Sequence, residues 1–202
     1  MLSGGGTAGG AWMLGLVSAL RADGVDLGDA DLIVGTSAGA RAGVQVASGR
    51  LDEVVAMYRH GEFPQIKVHA QLAGFTAAVA PIRAAAVDRA DFVRRVAGLG
   101  PLGPALTSAA DRRREIAAQL PVREWPSTRL VVTTVDAESG QRVTFEVGSG
   151  VALHRIVADR ASAAAIGPND ARTVLAALDA GAAQASREIG ALKKAWQHSP
   201  GL

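Results

Sequence analysis

The chain has 202 residues, 49% of them hydrophobic and 20% charged, with 21 basic against 19 acidic side chains and a net charge of +2. This is the profile of a soluble globular protein of about one domain, long enough to bury a real core, and it carries no long Lys/Arg run of the kind that marks a nucleic-acid patch. Cysteine is absent, which excludes disulfides, thiolate catalysis and Cys-based metal sites.

Aromatic residues make up only 4%, so Ala, Val and Leu have to build the core. No basic segment followed by an apolar run opens the chain, so no secretory signal is expected. No stretch of about 18 uncharged apolar residues occurs. The nearest is Val68 to Ala80, which carries Gln71 and is closed by Pro81 and Arg83. A soluble, cytoplasmic protein is expected, with peripheral contact to membranes left open.

Residues 1–10 are mostly glycine. Residues 11–22 read as a helix, with Trp12, Leu16, Ala19 and Leu20 at helical spacing and Asp23-Gly24 as the stop. Asp31-Leu32-Ile33-Val34 is a short apolar run suited to a buried parallel strand. A tight turn from Gly35 to Gly39 follows, then a helix from Ala40 to Ser48 that Gly49 ends, then another from Leu51 to Arg59. Residues 61–120 are Ala-rich and helical in pattern, punctuated by Pro64, Pro81, Gly98, Gly100, Pro101, Gly103 and Pro104. They fit ordinary packed helices or a lipid-facing lid. Arg129 to Val135 and Gln141 to Val147 alternate as two strands around a turn at Gly140. Thr173 to Gln197 form a long terminal helix. Strands interspersed with helices indicate an α/β fold, read here as one domain over residues 1–202.

Two motifs carry chemistry. Gly35-Thr36-Ser37-Ala38-Gly39 is a G-x-S-x-G elbow, entered from an apolar strand and left through a helix. Such a serine sits on a strained strand-to-helix turn, and the two glycines remove side chains that would clash there. The following helix also points its first amides at the reacting oxygen, where they favour negative charge. The bland alternative is an ordinary Gly-rich turn.

Gly4-Gly5-Gly6-Thr7-Ala8-Gly9 is the second motif. Consecutive glycines let backbone N–H groups face a ligand oxygen, which suits an oxyanion hole. The same residues match the dinucleotide pattern G-x-G-x-x-G, but only Met1-Leu2-Ser3 precede them and no acid closes a second strand. A P-loop is excluded because no Gly-Lys-Ser/Thr follows.

The order of the motifs, a glycine loop, one helix, then the serine elbow at position 37, resembles the patatin-like phospholipase family. Gly4 to Gly9 match that family's opening loop and Gly35 to Ala40 its elbow; the likeness is specific over residues 3–50 and looser over residues 130–150 and beyond 165. The resemblance implies a three-layer α/β sandwich with a mostly parallel sheet, here shortened. It implies Ser37 as nucleophile, amides of Gly4, Gly5, Gly6 and Ala38 as the oxyanion hole, and ester hydrolysis of lipids or other acyl esters without metal or cofactor. A Ser–Asp dyad is implied too, with the carboxylate as general base.

The chain departs from the family at three points. Its first strand is nearly missing. Ala8 stands where the loop often holds a basic residue. No Asp-Gly-Gly or Asp-Gly-Ala lies downstream of Ser37; the nearest pattern is Asp179-Ala180-Gly181, inside the terminal helix, with Asp136 and Asp159 as further carboxylates. The identity of the base therefore stays open, and so does a second reading: a degenerate, non-catalytic member serving as a lipid-binding or interaction module.

Remaining candidates have plain readings. His60, His69, His154 and His198 have no ligand spacing and read as surface or loop residues. Arg41 fits a solvated helix position, or a contact to an anionic head group. Trp12, Trp125 and Trp196 read as core or interface anchors. Arg112-Arg113-Arg114, between Asp111 and Glu115, reads as a solvated helix face. No nucleic-acid partner is expected. Exposed edges of a shortened sheet predict self-association.

Overall fold

The computed structural model describes residues 1–63, 69–99, 109–120, 122–136, 141–146 and 171–197. Among them are seven α-helices and a small three-stranded mixed sheet, an α/β arrangement. The helices are α1 (Gly6–Ala22), α2 (Ala38–Ala47), α3 (Leu51–Arg59), α4 (His69–Ala85), α5 (Arg89–Ala97), α6 (Ala109–Ala118) and α7 (Ala171–Gln197). The strands are β1 (Ile33–Gly35), β2 (Leu130–Val135) and β3 (Arg142–Glu146), in the order β1-β2-β3. The turn expected at Gly140 lies outside the described residues.

The chain forms two compact units. The first comprises residues 1–65, 120–132 and 146–202, and the second residues 66–119 and 133–145.

The first unit is organised around α1. Every residue from Thr7 to Val17 is buried, as is Leu20. A helix that is apolar all round has to be enclosed, and α7, α2 and α3 enclose it. The crossing with α7 is made by backbone rather than by side chains. A Cβ on Gly15 would lie 1.9 Å from the Leu178 carbonyl oxygen, and one on Gly181 would lie 2.0 Å from that of Trp12. Only glycine permits so close an approach.

Pattern reading starts this helix at residue 11, but the structure starts it at Gly6. Residues 6–10 contain three glycines, each of which disfavours helix by about 1 kcal/mol relative to alanine. Tertiary burial overrides that preference, since Thr7 to Gly10 are all buried. The other boundaries match the pattern within one or two residues, and α3 matches it at both ends.

β1 pairs in parallel with β2, placing Ile33 beside Leu130 and Gly35 beside Val132. On its other side Leu2 makes one parallel bridge to Gly35, where the resemblance places a first strand. α2 lies across this patch, with Gly43 against the Leu130 and Ile33 side chains.

The second unit has a different character. α4 and α5 contact each other, and α5 has no buried residue. The turn between them is held by polar groups. The Asp91 N–H donates to the Asp88 carboxylate at 2.7 Å, the Val87 N–H donates to the Asp91 carboxylate at 3.1 Å, and Arg95 Nε donates to both Asp91 oxygens at 2.9 Å. The Arg83 guanidinium lies 5.7 Å from the centre of the Phe92 ring, a cation–π contact. No helix among the described residues is long and apolar enough to cross a membrane.

Candidate active site

Ser37 links β1 to α2 with φ 55° and ψ −120°. It is the one non-glycine residue with positive φ among the described residues. These angles are those of the second residue of a type II′ turn, a place normally taken by glycine. The turn closes through the Gly39 N–H, which donates to the Thr36 carbonyl at 2.9 Å. Holding a side chain there costs on the order of 1–3 kcal/mol and requires surroundings that enforce it.

Those surroundings are backbone. A Cβ on Gly35 would lie 2.5 Å from the Ala40 Cα, and one on Gly39 would lie 2.1 Å from the Leu2 carbonyl oxygen. Both elbow glycines are therefore required sterically. Leu2 braces the approach: its N–H donates to Val34 at 2.7 Å, and its carbonyl accepts from the Thr36 N–H at 3.1 Å.

The glycine motif meets the serine. A Cβ on Gly4 would lie 3.5 Å from the Ser37 Cβ and 4.0 Å from its Oγ. Gly4, Gly5, Gly6 and Ser37 are all exposed, so the junction is open to solvent. Of the expected loop, only Gly4 and Gly5 stay outside helix. Gly5 is the N-cap of α1, Gly6 begins it with φ 62°, and the first helical bond runs from the Gly9 N–H to the Gly5 carbonyl at 2.9 Å. The amides of Gly5 and Gly6 thus stand ahead of the helical ladder. Ala38 is the first residue of α2, also ahead of the ladder, and is buried. Neither helix has a side-chain cap or an acidic residue in its first turn. Two helix N-termini, each with a partial positive charge, therefore begin within a residue or two of the Gly4–Ser37 contact and favour negative charge there.

The weak base candidate Asp179 is engaged elsewhere. Asp179 lies mid-way along α7 and pairs with Arg59 at 3.2 Å; both side chains are more than half exposed. Asp136 follows β2 and donates its N–H to the Gln141 carbonyl at 2.9 Å. Asp159, His154 and His198 lie outside the described residues. Among the described residues no hydrogen bond reaches the Ser37 hydroxyl. No group of three His, Asp or Glu side chains there could hold a metal.

His60 is an exposed C-cap of α3, and His69 begins α4. Trp12 is buried in the core, Trp196 packs against it, and Trp125 is 42% exposed. Arg41 differs from its expected solvated position. Its guanidinium lies against Gly10 of α1, next to the Tyr58 hydroxyl of α3. Burial raises the Tyr58 pKa, an effect opposed by the charge and hydrogen bond of Arg41. No spacing in the sequence announces this contact, because it joins three helices. A hollow of about 150 Å³ lies at the other end of α2, lined by residues including Arg21, Asp26, Asp29 and Leu51, and includes none of the elbow residues.

Compared with protein-family models, with curated proteins and with solved structures, the chain has no match in any of the three.

Proposed function

We propose that the chain is a serine acyl-ester hydrolase of the patatin type, a shortened three-layer sandwich acting on lipid or other carboxylic esters. The observation that carries this reading is the backbone of Ser37, a strained turn position with Gly4 directly beside it. Ser37 Oγ attacks the acyl carbon while its proton passes to a carboxylate. Amides of Gly4, Gly5, Gly6 and Ala38 hold the developing oxyanion. The alcohol leaves with a proton, and water then releases the acid from the acyl-serine.

A second reading is favoured by one observation: no described carboxylate or imidazole bonds to the Ser37 hydroxyl, and Asp179 is engaged by Arg59. Without a base the serine stays protonated, and only binding and the oxyanion hole remain. The protein would then serve as a non-catalytic lipid-binding or interaction module.

Treatment with a reactive fluorophosphonate, followed by intact mass, separates the two. The hydrolase reading expects one adduct on the parent protein and none on Ser37→Ala. Absence of adduct on both proteins supports the non-catalytic reading. Equal labelling of both overturns the role of Ser37.

A further inference from the structure

The reading of Ser37 as a nucleophile leaves Arg41 unused. The Arg41 N–H donates to the Ser37 carbonyl at 3.3 Å, so this residue stands one helical turn beyond the serine. Arg41 Nη2, the Ala38 Cβ and the Tyr58 hydroxyl lie 3.5, 3.8 and 3.9 Å from the point where Gly10 would carry a Cβ. The guanidinium therefore shares one small space with the first residue of α2, between α1 and α3. Nη2 is shut off from water there, and Tyr58 is 2% exposed.

Charge is scarce around this point. Arg41 is the only charged residue of α2, and α1 carries none before Arg21 in its last turn. β1 has none, and Asp26 and Asp29 lie by Val46 and Ala47 at the far end of α2. The charges of α3 are engaged elsewhere: Asp52 pairs with Arg21, Glu53 with Arg50 and Arg59 with Asp179. The Arg41 charge is felt at Tyr58, where it opposes the upward push of burial on the pKa of the hydroxyl. A partly enclosed cation acts more strongly at a distance than one in water, because less solvent screens it. It lies about one turn from the starts of α1 and α2, whose partial positive charges add to it.

We infer that Arg41 is a positioning residue of the Ser37 site: held by Tyr58 against Gly10, its guanidinium makes the elbow positive and so favours transfer of the Ser37 proton and the oxyanion that follows. The inference rests on the hydrolase reading and adds to it a source of charge at the site. No bond forms or breaks at Arg41. Its field is in place before the acyl carbon is attacked, so no reorganisation is needed at that moment.

The experiment is the rate of fluorophosphonate labelling of the full chain across roughly pH 5–9, read by intact mass. The parent should label faster as pH rises, along a limb set by the group that must lose its proton. Arg41→Met and Arg41→Gln remove the charge and should slow labelling about tenfold or more. A positive charge lowers the pKa of an acid near it, so both variants should also move the limb to higher pH. Arg41→Lys keeps the charge; it should leave the limb in place and the rate within about threefold of the parent. An arginine that only ties α2 to α3 would lower the labelled fraction or the urea stability and leave the limb where it was. Should neither neutral variant fold, Tyr58→Phe decides: it releases the guanidinium at nearly constant volume and should slow labelling about threefold. Neutral variants that label like the parent, a slower rate with an unmoved limb, Arg41→Lys as slow as Arg41→Met, or an unchanged Tyr58→Phe overturn the inference and leave the hydrolase reading intact. A parent that does not label at any pH overturns the hydrolase reading, and this inference with it.

Discussion

The α1–α7 crossing and the α4–α5 hairpin are both helix pairs rich in small residues, yet they use them in opposite ways. At the crossing, Gly15 and Gly181 let two backbones touch, and the residues around them are excluded from water. On the hairpin, Ala77, Ala80, Ala84 and Ala85 of α4 are exposed and α5 buries nothing. Small size thus supports a core only where a partner backbone closes the gap. Elsewhere it leaves a low-profile apolar surface whose local order depends on polar groups at the turn.

The sharpest way to break this contrast is to add one heavy atom to each side. Gly15→Ala drives a Cβ into the Leu178 carbonyl and should lower unfolding free energy by about 3 kcal/mol, measured by urea denaturation. Ala84→Ser on the exposed face of α4 should stay within about 0.5 kcal/mol. The elbow gives the next largest effect. Ser37→Gly releases the positive-φ strain and should raise stability by about 1 kcal/mol while abolishing fluorophosphonate labelling. Asp179→Asn breaks an exposed ion pair and should cost less than about 1 kcal/mol. It should leave labelling of Ser37 unchanged, and a loss of labelling would restore Asp179 as the base.

The smallest effect is a pH response of the hairpin. Asp91 has its pKa lowered chiefly by the hydrogen bond from Arg95, then by that from the Val87 N–H. A depressed folded pKa means that the ionised form stabilises the turn. That stabilisation is present above the unfolded value of about 4 and is lost as pH falls through the lower folded value. Protection of the Val87 amide relative to its intrinsic exchange rate should therefore fall below about pH 4, and Asp91→Asn should show reduced protection at neutral pH as well.

Much of the elbow was legible in the sequence because its constraints are local. Gly35 and Gly39 are two residues from Ser37 on either side, and the strand before and helix after are written in the same short stretch. The start of α1 was not legible. Glycines at positions 6, 9 and 10 argue for loop, and only burial by distant segments makes them helical. The Arg41–Tyr58–Gly10 contact and the Gly15–Gly181 crossing were hidden for the same reason, since neither pair of partners shares a local pattern. No Asp-Gly-Gly or Asp-Gly-Ala motif follows Ser37 in the sequence, and no described carboxylate bonds to its hydroxyl.

The α1–α7 crossing also bears on how the protein is made. α7, whose backbone makes the close crossing with α1, follows it by roughly 150 residues. At about 5–20 residues per second, the nascent chain carries α1 without its α7 cover for about 8–30 s before α7 is synthesised. Its backbone-to-backbone docking site cannot be filled by any nearer segment with a Cβ at the crossing point. Yield in the cell should thus depend on chaperones that hold α1 during this interval, and slowing synthesis ahead of Ala171 should increase aggregation.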